Sequence, residues 1–303
     1  MGTLNVAILG SAAGGGVPQW NCRCPVCSLY WAGDGRVSAR TQSSIALSAD
    51  GERWLLINAS PDLRQQILNN PVLQPRNGSR DSPIAAVALT NADVDHIAGL
   101  LVLRERQAFT VYATAKNHQI LADNSIFNVL AADIVERSTM VMDEMFDTGL
   151  GLHIRPFTVP GKVALFMEQG NDVRIGDVSE TTIGIEISAH GKRLVYIPGC
   201  AEISEKVRQI ASGADLLLYD GTTFTDDEMP QLGLSQKTAR RMGHTPITGS
   251  GGSLNAFDGL SIRQRAYIHI NNTNPILIEG SDEHETIVAA GWTVTHDGMM
   301  FLL

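Results

Sequence analysis

Apolar and β-branched residues gather in short runs along the chain, at 4–9, 43–47, 54–57, 84–89, 183–188, 194–197, 216–219 and 266–270. Runs of this length bounded by polar turns predict strands. Several are apolar at every position rather than at alternate ones, the pattern of a sheet covered on both faces. Segments with helical spacing follow some of them, at 61–69, 97–106, 202–211 and 246–255. Strands interleaved with helices predict a layered α/β fold.

Ala49-Asp50-Gly51 and His190-Gly191-Lys192 each lie between two strand runs and supply a glycine for positive φ, so hairpins are predicted there and the sheets are expected to be antiparallel or mixed. The polar stretch 74–81 reads as a surface loop, and strands resume directly after it, which makes it a poor boundary. Without repeats at solenoid periods or low-complexity segments, one domain over residues 1–303, built of two similar halves, is expected.

Charge narrows the function classes. With 23 basic against 32 acidic residues and a net charge of -9, the chain lacks the basic face that nucleic acids and anionic membranes require. No stretch reaches the roughly 20 apolar residues of a membrane span. The first residues carry no basic region followed by an apolar run of signal length, so a cytoplasmic location is expected. A homodimer is the commonest assembly for a chain of this kind and is the expected one.

The candidate chemistry is metal binding. The loop NCRCPVC, within residues 20–28, sets Cys22, Cys24 and Cys27 close enough to converge on one tetrahedral Zn²⁺; buried or redox thiols are the competing reading. In TNADVDH, residues Asp93, Asp95 and His96 follow a strand run and precede a helical one, where they can bind a metal or, as Asp95 could, cap the helix. Asp220 in LLLYDGTT and His269 in YIHINNTN likewise leave the ends of apolar strands. Each taken singly is as readily a turn residue or a satisfied core histidine. The glycines Gly14, Gly15 and Gly16 lack the Gly-Lys-Ser/Thr ending of a phosphate loop, so close backbone approach near the cleft is their better reading.

The segments ILGSAAGGGVPQWNCRCPVC, INASPDLRQQI, TNADVDHIAGLL, YIPGCAE, LLLYDGTTF, MGHTPI and YIHINNTNPIL together resemble the metallo-β-lactamase superfamily. Within it they are similar to the branch that serves synthesis of the redox cofactor pyrroloquinoline quinone (PQQ), over essentially the whole chain. The resemblance implies an αββα sandwich with a metal site in a cleft at one edge. Against the superfamily's dinuclear-zinc signature His-x-His-x-Asp-His, Asn91 and Asp93 stand where the first two histidines belong, whereas Asp95 and His96 match. PFTVPGK, the third-histidine region, contains no histidine, and Gly199 and Cys200 stand near the place of a bridging aspartate.

The ligands that the resemblance leaves for the active-site metal are His96 and His269 with carboxylates from Asp93, Asp95 and Asp220. Two imidazoles and one carboxylate are the donor pattern of non-haem Fe(II) oxygenases. Fe²⁺ is therefore the expected metal, replaceable by Zn²⁺, Cu²⁺ or Mg²⁺. A separate structural Zn²⁺ is expected on the three cysteines, with Asn272 standing where related phosphodiesterases place a fourth-ligand histidine; Asn274, a backbone carbonyl and water compete for that role. His244 in MGHTPI matches a segment in which superfamily hydrolases carry a supporting or proton-transfer histidine, with a helix cap or surface position as the competing reading; with His269 and Asp220 it forms the expected catalytic set. The implied function is metal-dependent hydroxylation of the tyrosine ring of a Glu-Tyr-derived PQQ precursor. The alternative is a carrier aiding transport of PQQ or its precursor to the periplasm, and a zinc hydrolase ranks third. Arg40, Lys162, Lys237, Arg240 and Arg241 are the candidate cations for the carboxylates of such a molecule.

Overall fold

In the computed structural model, which describes residues 2–162 and 177–303, strands form where the apolar runs predict them. In chain order they are β1 (Asn5–Gly10), β2 (Ser44–Ser48), β3 (Trp54–Ile57), β4 (Ile84–Ala88), β5 (Phe109–Ala113), β6 (Val135–Thr139), β7 (Phe146–Asp147), β8 (His153–Gly161), β9 (Asp177–Ala189), β10 (Lys192–Ile197), β11 (Leu216–Asp220), β12 (Arg265–Ile268), β13 (Trp292–Val294) and β14 (Met300–Leu302). Among the described residues they make two seven-stranded sheets, ordered β14-β1-β2-β3-β4-β5-β6 and β13-β12-β11-β10-β9-β8-β7.

Each sheet is mixed in the same way. Three antiparallel pairings run from β14 to β3 and from β7 to β10, and three parallel ones complete each sheet, from β3 to β6 and from β10 to β13. Both predicted hairpins form. At the second, His190 and Gly191 take φ of 52° and 73°, and Ala189 pairs with Lys192, so the turn spans two residues.

The period of two decides the layering. In β1, Val6 and Ile8 point into a core shared by both sheets, while Ala7 and Leu9 point to a second core beneath helices. In β11, Leu216 and Leu218 enter the shared core, whereas Leu217 and Tyr219 face a third core on the far side. The helices Leu63–Asn69 and Ala115–Asp123 cover the first sheet; Pro25–Trp31, Glu205–Ala211 and Asp282–Ala289 cover the second. The result is the metallo-β-lactamase αββα sandwich.

Three differences from the sequence expectation have local causes. The helix expected at 97–106 starts earlier, as Val94–Ile97 continued by a 3-10 turn Ala98–Leu103, so Asp95 and His96 lie inside its first turn rather than ahead of it. The one expected at 246–255 forms only at Ser253–Ala256, because Gly249 and Gly251, at φ of 85° and 67°, break the chain before it. Strands outside the eight apolar runs include β6, with exposed charged positions, β8, which contains Pro156 and Pro160, and the three-residue edge strands β13 and β14. Pairing with neighbours makes β6 and β8 strands despite their composition, while β13 and β14 are strand-favouring runs too short to show a pattern.

Candidate metal centre

The ligand-type residues emerge where parallel strands end, the usual place for a site in an α/β sheet. Asp93, Asp95 and His96 follow β4, Asp220 closes β11, and His269 follows β12. The two sheets face each other, so these ends meet at one edge. There they border a cavity of about 300 Å³, whose wall includes Asn91, Asp93, Asp95, His96, His244 and His269.

Asp95, His96 and His269 form one metal-ready group on the cavity wall. Asp95 Oδ2 lies 3.2 Å from His269 Nε2 and 3.6 Å from His96 Nε2. The other nitrogen of each ring is taken. His96 Nδ1 donates to Asn91 Oδ1 at 2.8 Å, and His269 Nδ1 sits 3.0 Å from Thr222 Oγ1. Fixing Nδ1 in this way selects the tautomer and aims Nε2 at the common point, as supporting residues do around metal-bound histidines. Asn91, in the place of a superfamily histidine, thus orients a candidate ligand. It also accepts from the Asp93 amide at 2.9 Å, which shapes the turn.

The electrostatics fit a cation. Burial alone would raise the Asp95 carboxyl, but the charges and hydrogen bond of His96 and His269 hold it well below the usual carboxylate range. Burial pushes His96 down, towards the neutral imidazole that binds metals. His269 is pushed down by burial too, yet its hydrogen bond to Asp95 and the surrounding carboxylates carry it above the ordinary value. Two nearly buried imidazoles facing one carboxylate, with their remaining nitrogens already tied, suit a divalent ion.

Asp220 is fully buried and does not line the cavity. It belongs to a second group with His244 and His269, separate from Asp95 and His96. Its Oδ2 meets His244 Nδ1 at 2.8 Å and accepts from the Cys200 amide at 3.2 Å, while Oδ1 accepts from the Thr222 hydroxyl at 2.6 Å. Thr222 is therefore the hub joining Asp220 to His269. A hydroxyl in DGTT gives no sequence signal of that role. Asp93 lines the cavity but falls in neither three-ligand group.

Gly14 comes close, as its sequence context implies: a Cβ there would lie 3.5 Å from the Asp95 carboxylate. The Cys200 thiol donates to the Glu202 carbonyl, and burial pushes it up to about 12, so it is a core thiol rather than a nucleophile. Of the candidate cations, Lys162 and Lys237 line the cavity. Arg40 is instead directed at the Thr295 carbonyl and Arg240 at the Ser250 carbonyl.

Cys22, Cys24 and Cys27 converge separately, with Cys24 at the N-cap and Pro25 opening the helix Pro25–Trp31. The Asn272 side-chain amide faces all three sulfurs, at 3.1 Å from Cys22, 3.6 Å from Cys24 and 3.3 Å from Cys27. Backbone amides of Cys24 and Cys27 point at the sulfurs of Cys22 and Cys24. Donors aimed at buried sulfurs favour thiolates, and a bound cation would be needed for all three to ionise together. Burial raises the Cys24 thiol to about 12, whereas hydrogen bonds from Cys24, Cys27 and Asn272 bring Cys22 below its ordinary value against the same burial effect.

A model of the β-lactamase superfamily domain matches residues 53–270. Coenzyme PQQ synthesis protein B of Methylorubrum populi is 57% identical over 296 residues, spanning 98% of this chain and 99% of the relative. The chain belongs to the PQQ synthesis protein B family of the metallo-β-lactamase superfamily. The namesake protein of Rhizobium meliloti is 50% identical over 98% of this chain and 97% of its own. The crystal structure of Zn²⁺-bound PqqB from Methylobacterium extorquens superposes with a TM-score of 0.97 at 56% identity, covering 99% of this chain and all of that one. A diphosphatase of the PhnP family, at 20% identity and a TM-score of 0.68, shares the fold.

Proposed function

We propose that this chain acts in PQQ biosynthesis as an Fe²⁺-dependent hydroxylase of the tyrosine ring of a Glu-Tyr-derived precursor. One observation carries the reading: a single carboxylate and two imidazole Nε2 atoms converge at the edge of the cavity, with no histidine at 91 or 93 to build the superfamily's two-zinc site. Fe²⁺ held by Asp95, His96 and His269 would supply open coordination positions for dioxygen and a phenol.

The residues around that set have separate tasks. Lys162 and Lys237 offer cationic groups on the cavity wall for the carboxylates of a substrate made from Glu and Tyr. His244 lines the cavity and is anchored by Asp220 through Nδ1, so its Nε2 is the group suited to take the phenol or ring proton. Asn91 and Thr222 hold the ligand rings in orientation and save the cost of organising them during turnover. Zn²⁺, Cu²⁺ or Mg²⁺ at the same donors would occupy the site without redox chemistry suited to the reaction, or, for copper, by outcompeting iron. Cys22, Cys24 and Cys27 would hold a structural Zn²⁺, whereas Asn272, expected as the fourth ligand, turns its amide N–H towards the three sulfurs and so would support the thiolates rather than bind the metal.

The test is oxygen uptake by metal-stripped protein reloaded anaerobically with Fe²⁺, Zn²⁺ or Cu²⁺ and given a crosslinked Glu-Tyr substrate with a two-electron reductant such as ascorbate, since one oxygen atom of O₂ enters the ring and the other is reduced to water. Uptake coupled to ring oxygenation with Fe²⁺ alone is expected. Tight binding of finished PQQ without uptake under any metal would replace the hydroxylase with a carrier.

A further inference from the structure

His269 is a non-glycine residue at φ of 57°, in the left-handed region that a side chain rarely adopts. Such a conformation persists only where neighbouring contacts over-determine it. It lies between the end of β12 and Ile270, and the chain after it is clamped. The Ile270 amide donates to the Ser11 carbonyl at 3.0 Å, and the Ile270 carbonyl accepts from the Ala13 amide at 2.8 Å. The Ala12 amide in turn donates to the Thr41 carbonyl at 2.9 Å. Segments 11–13, 41–43 and 269–271 are thereby zipped together beside the metal centre, and Ser43 Oγ approaches His96 Nε2 at 3.5 Å.

One carboxylate underlies two of these segments. Asp297, in the turn that passes from β13 at the edge of one sheet to β14 at the edge of the other, accepts four hydrogen bonds. Its Oδ1 takes the Ser11 amide at 3.0 Å and the Ser11 hydroxyl at 2.9 Å; its Oδ2 takes the Thr41 amide and hydroxyl, both at 2.7 Å. Burial raises this carboxyl above its ordinary range, and the four donors oppose that shift. Arg40 lies nearby with its guanidinium directed at the Thr295 carbonyl, and the charge of Asp297 supports the buried cation.

We infer that Asp297 is a positioning residue: by tying Ser11 and Thr41 together it fixes the register of Ile270 and so holds His269 in the left-handed conformation that aims Nε2 at Asp95. The inference rests on His269 as a metal ligand, whatever reaction the metal serves.

Co²⁺ titration tests it, because the protein offers its own internal control. Ligand-field bands report nitrogen and oxygen donors, and sulfur-to-cobalt charge transfer reports the thiolates. In Asp297→Asn and Asp297→Ala, affinity at the imidazole site should fall at least tenfold with altered ligand-field bands, while the thiolate band keeps its wild-type midpoint. Should Asp297→Ala fold poorly, Ser11→Ala and Thr41→Val, which each delete one hydroxyl donor, should produce the same selective loss in smaller measure. In the metal-free protein, amide exchange at Ala13 and Ile270 should quicken in Asp297→Asn relative to amides of β10 and β11. Wild-type affinity and spectra at both sites in the Asp297 variants would overturn the positioning role. Wild-type protein taking Co²⁺ only at the thiolates would overturn the ligand assignment from which it starts.

Discussion

At the residue scale, most of what distinguishes this site is done by side chains one layer behind the ligands. Asn91 is the clearest, since it stands at a histidine position of the superfamily signature and holds His96 by Nδ1. Asn91→Leu, of similar volume without an acceptor, should weaken metal binding at the imidazole site by about 10- to 100-fold, the usual effect of removing such a partner. Competitive titration against a chelator measures it, and an unchanged constant would mean that the His96 ring is held by packing alone. A second prediction concerns Glu228, which is buried beside the thiolate loop, accepts from the Phe224 amide at 2.7 Å and meets the Thr273 hydroxyl. Burial raises its carboxyl from 4.5 to about 7 against those hydrogen bonds. The folded state then binds a proton that the unfolded chain releases, so the stability this group contributes is fullest below pH 4.5 and is lost as pH rises through about 7. Glu228→Gln should flatten the decline in unfolding temperature over that window; an unaltered slope would assign the decline to other groups.

At the element scale, short connections carry both metal groups, and one of them belongs to both. The segment after β12 presents His269 to the imidazole site and, three residues on, Asn272 to the thiolates. Cys27→Ser should lower bound zinc by one equivalent and reduce the unfolding temperature, because metal binding at a preformed thiolate cluster adds directly to folding stability. His269→Ala should leave that equivalent in place and empty only the imidazole site. Metal analysis on the two variants separates the sites, and loss of all metal in both would mean that they form one cooperative unit. The helix at Val94–Ile97 illustrates how an element boundary matters here: starting it at Val94 puts Asp95 and His96 on its first turn, with fixed spacing, instead of on a free loop.

At the scale of the whole molecule, the edge-on meeting of two face-packed sheets creates the cavity. Leu218 lies in the core between them, off the cavity wall and completely buried. Leu218→Ala should cost about 2–5 kcal/mol of stability, as truncations of buried leucine do. Denaturant unfolding reads that loss, and metal content should stay at the wild-type level, showing that scaffold stability and site geometry can be separated. A net charge of -9 surrounds a cavity whose wall includes Lys162 and Lys237. Lys237→Ala should raise the KM or Kd for the proposed Glu-Tyr-derived substrate about tenfold, equivalent to roughly 1.4 kcal/mol, with little change in kcat. A change confined to kcat would instead put Lys237 at the reacting centre. No helix among the described residues is long and apolar enough to cross a membrane.

The sequence by itself determined the layers and the donor inventory. Unbroken apolar runs such as VAIL in β1 and LLL in β11 already require cover on both faces, because every second side chain must leave water on each side. Strand-end residues Asp95, His96, Asp220 and His269 and the cysteine triplet were legible as ligand types from their neighbours alone. What only the tertiary structure decided is which of these meet. Asp95 reaches across 174 positions to His269, Asp220 turns instead to His244 and Thr222, and Asp297 closes the chain onto Ser11 after 286. Edge strands such as β13 and β14, strand-favouring in composition but only three residues long, were too short to stand out from the surrounding chain. Periodicity reports the local surroundings of each residue, whereas a metal site is a coincidence of distant strand ends that sheet packing alone brings about.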